Sequence, residues 1–177
     1  MFQTYDQAGS SSVKARQAWM ALLARAPQPL LDAALTRHVQ AQPRWLRRPE
    51  TGLMMVQGRA GGTGERFNLG EVTVTRCALR LAVAHDGGPA GLAPDDTPVG
   101  VAYVLGRNHR QAQMAAVADA LLQDPAQRPE LELTLLAPVR AHLLRQQTQR
   151  HQRAQTTKVD FLTVAREAGD GEEGETS

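Results

Sequence analysis

The chain has 177 residues and 42% hydrophobic content, enough for one domain with a buried core and too apolar for a disordered segment. Its formal net charge is +2, almost all its cations are arginines (Lys14 and Lys158 are the only lysines), and the single cysteine, Cys77, excludes both an intrachain disulfide and an iron–sulfur cluster ligated by this chain alone. Residues Met1–Asp6 lack the basic and apolar regions of a secretion signal and no apolar run reaches membrane-spanning length, so the expectation is a cytoplasmic protein.

In chain order, residues 1–11 read as a flexible leader and residues 12–166 as a single domain. Ser12 is placed to cap a helix whose apolar positions Ala15, Trp19, Leu22, Leu23 and Ala26 recur at helical spacing. After Pro27 a second helix follows, with Pro29 in its first turn, a stripe of Leu31, Leu35, His38 and Val39, and Pro43 as its stop. The period then changes. Trp45–Arg48 and Gly52–Arg59 read as strands joined by a turn at Pro49-Glu50-Thr51-Gly52. Glu71–Val83 alternates as a long strand, with Val72, Val74, Arg76 and Ala78 on one face and Thr73, Thr75, Cys77 and Leu79 on the other. Residues 85–98, rich in Asp, Gly, Pro and Ala, predict a surface loop, and Val99–Leu105 a returning strand. Asn108 is placed to cap a helix reaching about Gln123, packed through Met114, Val117, Ala118, Leu121 and Leu122. Pro138 starts a last helix that turns polar at Gln146–Gln155, before the apolar segment Val159–Val164 and an acidic tail over 167–177. A helix that is polar all round needs a partner, so 138–166 is expected to contact one. Helices around antiparallel strands make the fold class α+β.

The densest chemical signal is the run from Arg59 to Phe67. Gly61, Gly62, Thr63 and Gly64 stand between Arg59 and Glu65-Arg66, after the apolar run Leu53-Met54-Met55-Val56. Such a cluster supplies positive φ for a tight turn, or presents successive N–H groups to an anion. It is neither a P-loop, which needs Lys-Ser/Thr where Glu65-Arg66 stands, nor a dinucleotide fingerprint, since Phe67 occupies the third glycine's place. Arg59, Gly61, Gly62, Thr63, Gly64, Glu65 and Arg66 are therefore substrate-binding or interface candidates, with a plain glycine turn as the competing reading. Glu50 and Glu65 are the carboxylates available as a pair, at a separation the sequence does not give. Glu50, Arg76 and Arg80 are candidates for structural ion pairing, with Asp119 as a further acidic partner for an inward arginine. No histidine–carboxylate spacing suits a metal, and Cys77 reads as a small buried hydrophobe. The first two helices match a helix-turn-helix only in length, and basic charge without interleaved aromatics argues against single-strand binding.

Glu50-Thr51-Gly52-Leu53, Gly61-Gly62-Thr63-Gly64-Glu65-Arg66-Phe67, Thr75-Arg76 and Leu79-Arg80-Leu81 stand in a fixed order. They are followed by Val104-Leu105-Gly106-Arg107, Asp119-Ala120-Leu121, Leu136-Ala137-Pro138 and Lys158-Val159-Asp160-Phe161. This ordered set, covering roughly Ala18 to Arg166, resembles the PhnG subunit family of the phosphonate carbon–phosphorus lyase system. The resemblance implies a subunit working with PhnI-, PhnH- and PhnJ-type partners, and a PhnL-type protein, in a hetero-oligomeric complex. That complex transfers ribose 5-triphosphate from ATP, with magnesium, to methylphosphonate and releases adenine. It also implies that the iron–sulfur cluster and S-adenosylmethionine belong to the PhnJ-type partner. The main catalytic groups then lie on partners, the PhnI type above all. A pure scaffold with no residue at the active site, and a free-standing nucleotide-binding enzyme, are the competing readings.

Overall fold

The computed structural model describes residues 4–36, 38, 43–81 and 97–156, with side chains from Ser12 onward. Two helices, α1 (Thr4–Leu23) and α2 (Gln28–Leu35), precede a three-stranded antiparallel sheet of β1 (Pro43–Arg59), β2 (Arg66–Leu81) and β3 (Val99–Leu105), in the order β1-β2-β3. Helix α3 (His109–Leu122) follows, then a short α4 (Arg128–Leu131), which leads through a π-helical turn at Glu132–Leu136 into α5 (Ala137–Thr156). The fold is α+β, as the change of period predicts.

Helix α3 occupies the centre. From Ala112 to Leu122 only Gln113 escapes full burial, so this alanine-rich helix is enclosed on every side rather than along one stripe. Asn108 caps it, its side chain accepting the Gln111 N–H at 3.0 Å, as the sequence indicates. Small residues let β3 approach closely. A Cβ on Gly100 would lie 2.0 Å from the Ala116 carbonyl oxygen, so only glycine fits at that crossing. Leu79, Val104, Met114, Leu135, Leu136 and Val139 fill the core around α3.

Among the described residues, one charged side chain lies in this core. Asp119 is fully buried, and Arg16 donates to it from Nε at 3.2 Å and Nη2 at 2.7 Å. Trp19 Nε1 donates at 2.8 Å and the Val101 backbone N–H at 3.0 Å. A single carboxylate thus joins α1, β3 and α3. The sequence proposed Asp119 for Arg76 or Arg80; Arg16 takes it instead, because Arg76 faces away from α3.

Several expected boundaries move. Helix α1 begins at Thr4, ahead of Ser12. Helix α2 ends at Leu35, so His38 lies in the following turn, while Val39 is outside the described residues. Pro43 opens β1 rather than closing a helix. The turn expected at Pro49–Gly52 is absent: β1 runs unbroken through it, with pairing irregularities between Trp45 and Arg47 and between Arg47 and Glu50. Pro49 lacks an N–H, but β1 is an edge strand, where a missing donor and a bulge are tolerated. Strand β2 begins at Arg66, earlier than Glu71, because both arms of the hairpin pair up to Arg59↔Arg66. Pro138 lies inside α5. Its missing N–H breaks the ordinary ladder, and the preceding backbone widens so that the Ala137 N–H reaches the Glu132 carbonyl. The apolar segment Val159–Val164, the acidic tail and most of the 85–98 loop lie outside the described residues.

The Asp119 cluster yields a stability test. Asp119→Ala leaves an arginine, an indole N–H and a strand N–H without their acceptor. Denaturant unfolding should show a loss of about 3–5 kcal/mol, the range for breaking a buried charged pair. A loss below about 1 kcal/mol would show that the carboxylate does not hold the three elements together.

Candidate functional site

The glycine cluster forms the tip of the β1–β2 hairpin. Ala60–Gly62 make one 3₁₀ turn, with Gly61 at φ 58° and Gly62 at φ 83°, both left-handed values that favour glycine. Gly64 is required for another reason: a Cβ there would sit 2.6 Å from the Ala60 carbonyl oxygen. That carbonyl accepts the N–H groups of Thr63 and Gly64, the latter at 2.8 Å. Two of the N–H groups that could have cradled an anion are therefore engaged inside the turn. Arg59 closes it, donating from Nη1 to the Gly64 carbonyl at 3.3 Å, and stands opposite Arg66 across the strands. Arg59, Gly61, Gly62, Thr63, Glu65 and Arg66 are all exposed.

Glu50 lies far from this tip. Nine steps of β1 separate it from Arg59, roughly 30 Å of extended strand. Carboxylates that act as a pair stand about 5–10 Å apart, so Glu50 and Glu65 are not one. Glu50 instead accepts from Arg47 and, at 2.8 Å, from Arg76 Nε. Arg47 first, then Arg76, holds its carboxyl below the ordinary glutamate value of 4.5. Arg76 is exposed on the face of the sheet opposite α3, beside Tyr103. Arg80 donates to the Thr97 carbonyl at 3.3 Å.

A second cluster escaped the sequence reading. Thr51 and Thr75 pair across β1 and β2, with their hydroxyls 3.1 Å apart. Thr51 Oγ1 is also 2.9 Å from His109 Nε2 at the start of α3, and Thr75 donates to the Gly106 carbonyl at 2.7 Å. Residues from three separated motifs, Glu50-Thr51, Thr75-Arg76 and Gly106, therefore form one band across the sheet. Strand register alone would have revealed it, and the supposed turn at Pro49–Gly52 concealed that register. Cys77 is buried beside this band, its thiol donating to the Ala112 carbonyl at 3.2 Å, and burial pushes its pKa up to about 12. It is no nucleophile at neutral pH. Among the described residues no group of three or more His, Cys, Asp or Glu side chains is placed to hold a metal, and no helix is long and apolar enough to cross a membrane.

The family model for the phosphonate metabolism protein PhnG matches residues 14–167. The chain belongs to the PhnG family. One relative, the alpha-D-ribose 1-methylphosphonate 5-triphosphate synthase subunit PhnG of Rhizobium meliloti (strain 1021), is 36% identical over 167 residues. The match covers 93% of this chain and 95% of that one, so it spans the helices, the sheet and the hairpin tip of this PhnG-family chain together.

The Glu50 ion pair gives a pH prediction. Its carboxyl titrates below the ordinary 4.5, so the pair stabilises the folded chain above that value and the contribution is lost as pH falls through the lowered one. In a carboxyl NMR titration Arg47→Ala should move the Glu50 midpoint up. An unmoved midpoint would show that Arg47 does not bias it.

Proposed function

We propose that this chain is the PhnG-type subunit of a synthase that transfers ribose 5-triphosphate from ATP to methylphosphonate and releases adenine, in organic phosphonate catabolism. The observation that carries this reading is the match along almost the whole chain to a relative bearing that synthase's name. Its partners are subunits of the PhnI, PhnH and PhnJ types, with a PhnL-type protein alongside, and the assembly works in the cytoplasm where ATP is available.

The main catalytic groups belong to those partners. The described residues support this division: Glu50 is neutralised by two arginines, Glu65 stands alone at an exposed turn, and Cys77 is buried as a thiol. The buried Cys77 does not suit an iron–sulfur cluster, so the cluster and S-adenosylmethionine are assigned to the PhnJ-type partner. Helix α5 supports the subunit reading. Beyond Leu143 its side chains are exposed and chiefly polar, with none of the described residues packed along it.

Reconstitution tests the proposal. ATP and methylphosphonate are incubated with this chain alone, with the coexpressed partners alone, and with the full set, and adenine is measured. The full set should release adenine, while the chain alone releases none and omitting it abolishes turnover. Turnover by the chain alone would identify a free-standing enzyme. Full activity of the partners without it would remove it from the synthase.

A further inference from the structure

Helix α5 carries charge of one sign. From Ala141 to Thr156 its ionisable side chains are His142, Arg145, Arg150, His151 and Arg153, with no acidic residue among them. Glu132, the acid that precedes the helix, is already paired with Arg140. Arg145, Arg150 and Arg153 are exposed, and among the described residues none of them has a carboxylate partner. At about 100° per residue the three fall within roughly 140° of the helix circumference, with Gln146 and Gln149 between them. Arg150 and Arg153 stand one turn apart, so each raises the cost of the other's charge.

We propose that the acidic segment 167–177 of this same chain docks on that arginine face. The segment holds Glu167, Asp170, Glu172, Glu173 and Glu175 and no basic residue, so its charge is opposite in sign and enough for all three arginines. Its reach suffices as well. The chain from Thr156 to Glu167 can span up to about 36 Å, whereas Arg145 lies only roughly 16 Å back along the helix. Gly169, Gly171 and Gly174 stand between the acids and add no side chain that would obstruct a close approach to the helix. Being tethered, the segment meets the helix at an effective concentration of about millimolar, which sets it ahead of a more dilute free anion. Exposed ion pairs of this kind are individually weak and screened by salt, so the contact is a reversible cover. Any acidic surface that uses this face of α5 must displace it. The contact is independent of the transfer reaction proposed above.

The test uses the full chain. Ser177→Cys supplies one reactive thiol, because Cys77 is buried, and a nitroxide attached there reports the neighbours of the acidic segment by broadening backbone amide signals. At low salt the amides of residues 145–156 should lose intensity while those of α3 keep theirs. The loss should be reversed in about 1 M salt, where the screening length falls to ~3 Å. Neutralising the segment with Glu167→Gln, Asp170→Asn, Glu172→Gln, Glu173→Gln and Glu175→Gln leaves α5 untouched and should reverse it equally. Arg145→Gln with Arg150→Gln and Arg153→Gln should do the same from the other side, at exposed positions where a helix tolerates glutamine. Unbroadened α5 amides at low salt would overturn the contact, and so would broadening that survives neutralisation of the acids. Broadening that appears on isotope-labelled chains only when nitroxide-bearing chains are mixed with them would place the segment on a second copy and overturn the intramolecular contact.

Discussion

A carboxylate without access to solvent demands compensation, and Asp119 obtains it from three directions at once. Arg16 and Trp19 reach it from α1, the Val101 N–H from β3, and its own backbone belongs to α3. None of these elements can shift without leaving a buried donor or acceptor unpaired, which costs more than the contact contributes when made. The Arg16 guanidinium extends the constraint by also donating to the Val99 carbonyl at 2.9 Å. The crossing of β3 over α3 is thereby fixed, and Gly100 is the residue that lets the two backbones come that close. Around this point ordinary aliphatic packing suffices.

That anchoring is confined to one half of the molecule. Strand β2 is held between two neighbours where Thr75, Cys77 and Leu79 meet α3, and it then runs on beyond β3 paired, among the described residues, with β1 alone. The contrast bears on the glycine cluster. A phosphate-binding loop is held by packed elements that keep its N–H groups aligned, whereas this turn closes on itself through the Ala60 carbonyl and ends a projecting ribbon. Beyond Leu143, helix α5 likewise runs with its side chains exposed. Two extensions rich in exposed side chains on a tightly pinned body describe a component of a larger assembly better than a self-sufficient enzyme.

Much of this was legible in the sequence. The shift from helical to alternating period gave the α+β class, Asn108 marked the start of α3, and Trp19, Leu23, Leu31 and Leu35 were recognisable as apolar stripes. Ordered motifs gave the family. Misreadings arose where a residue's usual meaning was overruled by its neighbours. Pro49 and Gly52 look like a turn, yet a bulged edge strand accommodates both. Pro138 does stand in the first turn of α5, as its sequence position suggests, but the π turn that joins this helix to α4 was not legible. The partner of Asp119 was not legible, because Arg16 lies 103 residues away and nothing local records the pairing. Nor was the Thr51–Thr75–His109 band, which exists only once the strands are in register. For Glu50 and Glu65 the missing quantity was distance, and about nine strand residues between them dissolved the pair.

The structure is a body pinned at Asp119 that bears a less buried hairpin. Amide hydrogen exchange of the isolated chain addresses it most directly. In isolation α3 and the Val74–Arg80 stretch of β2 should exchange slowest and residues 53–72 fast. A hairpin as protected as α3 in the isolated chain would contradict the account.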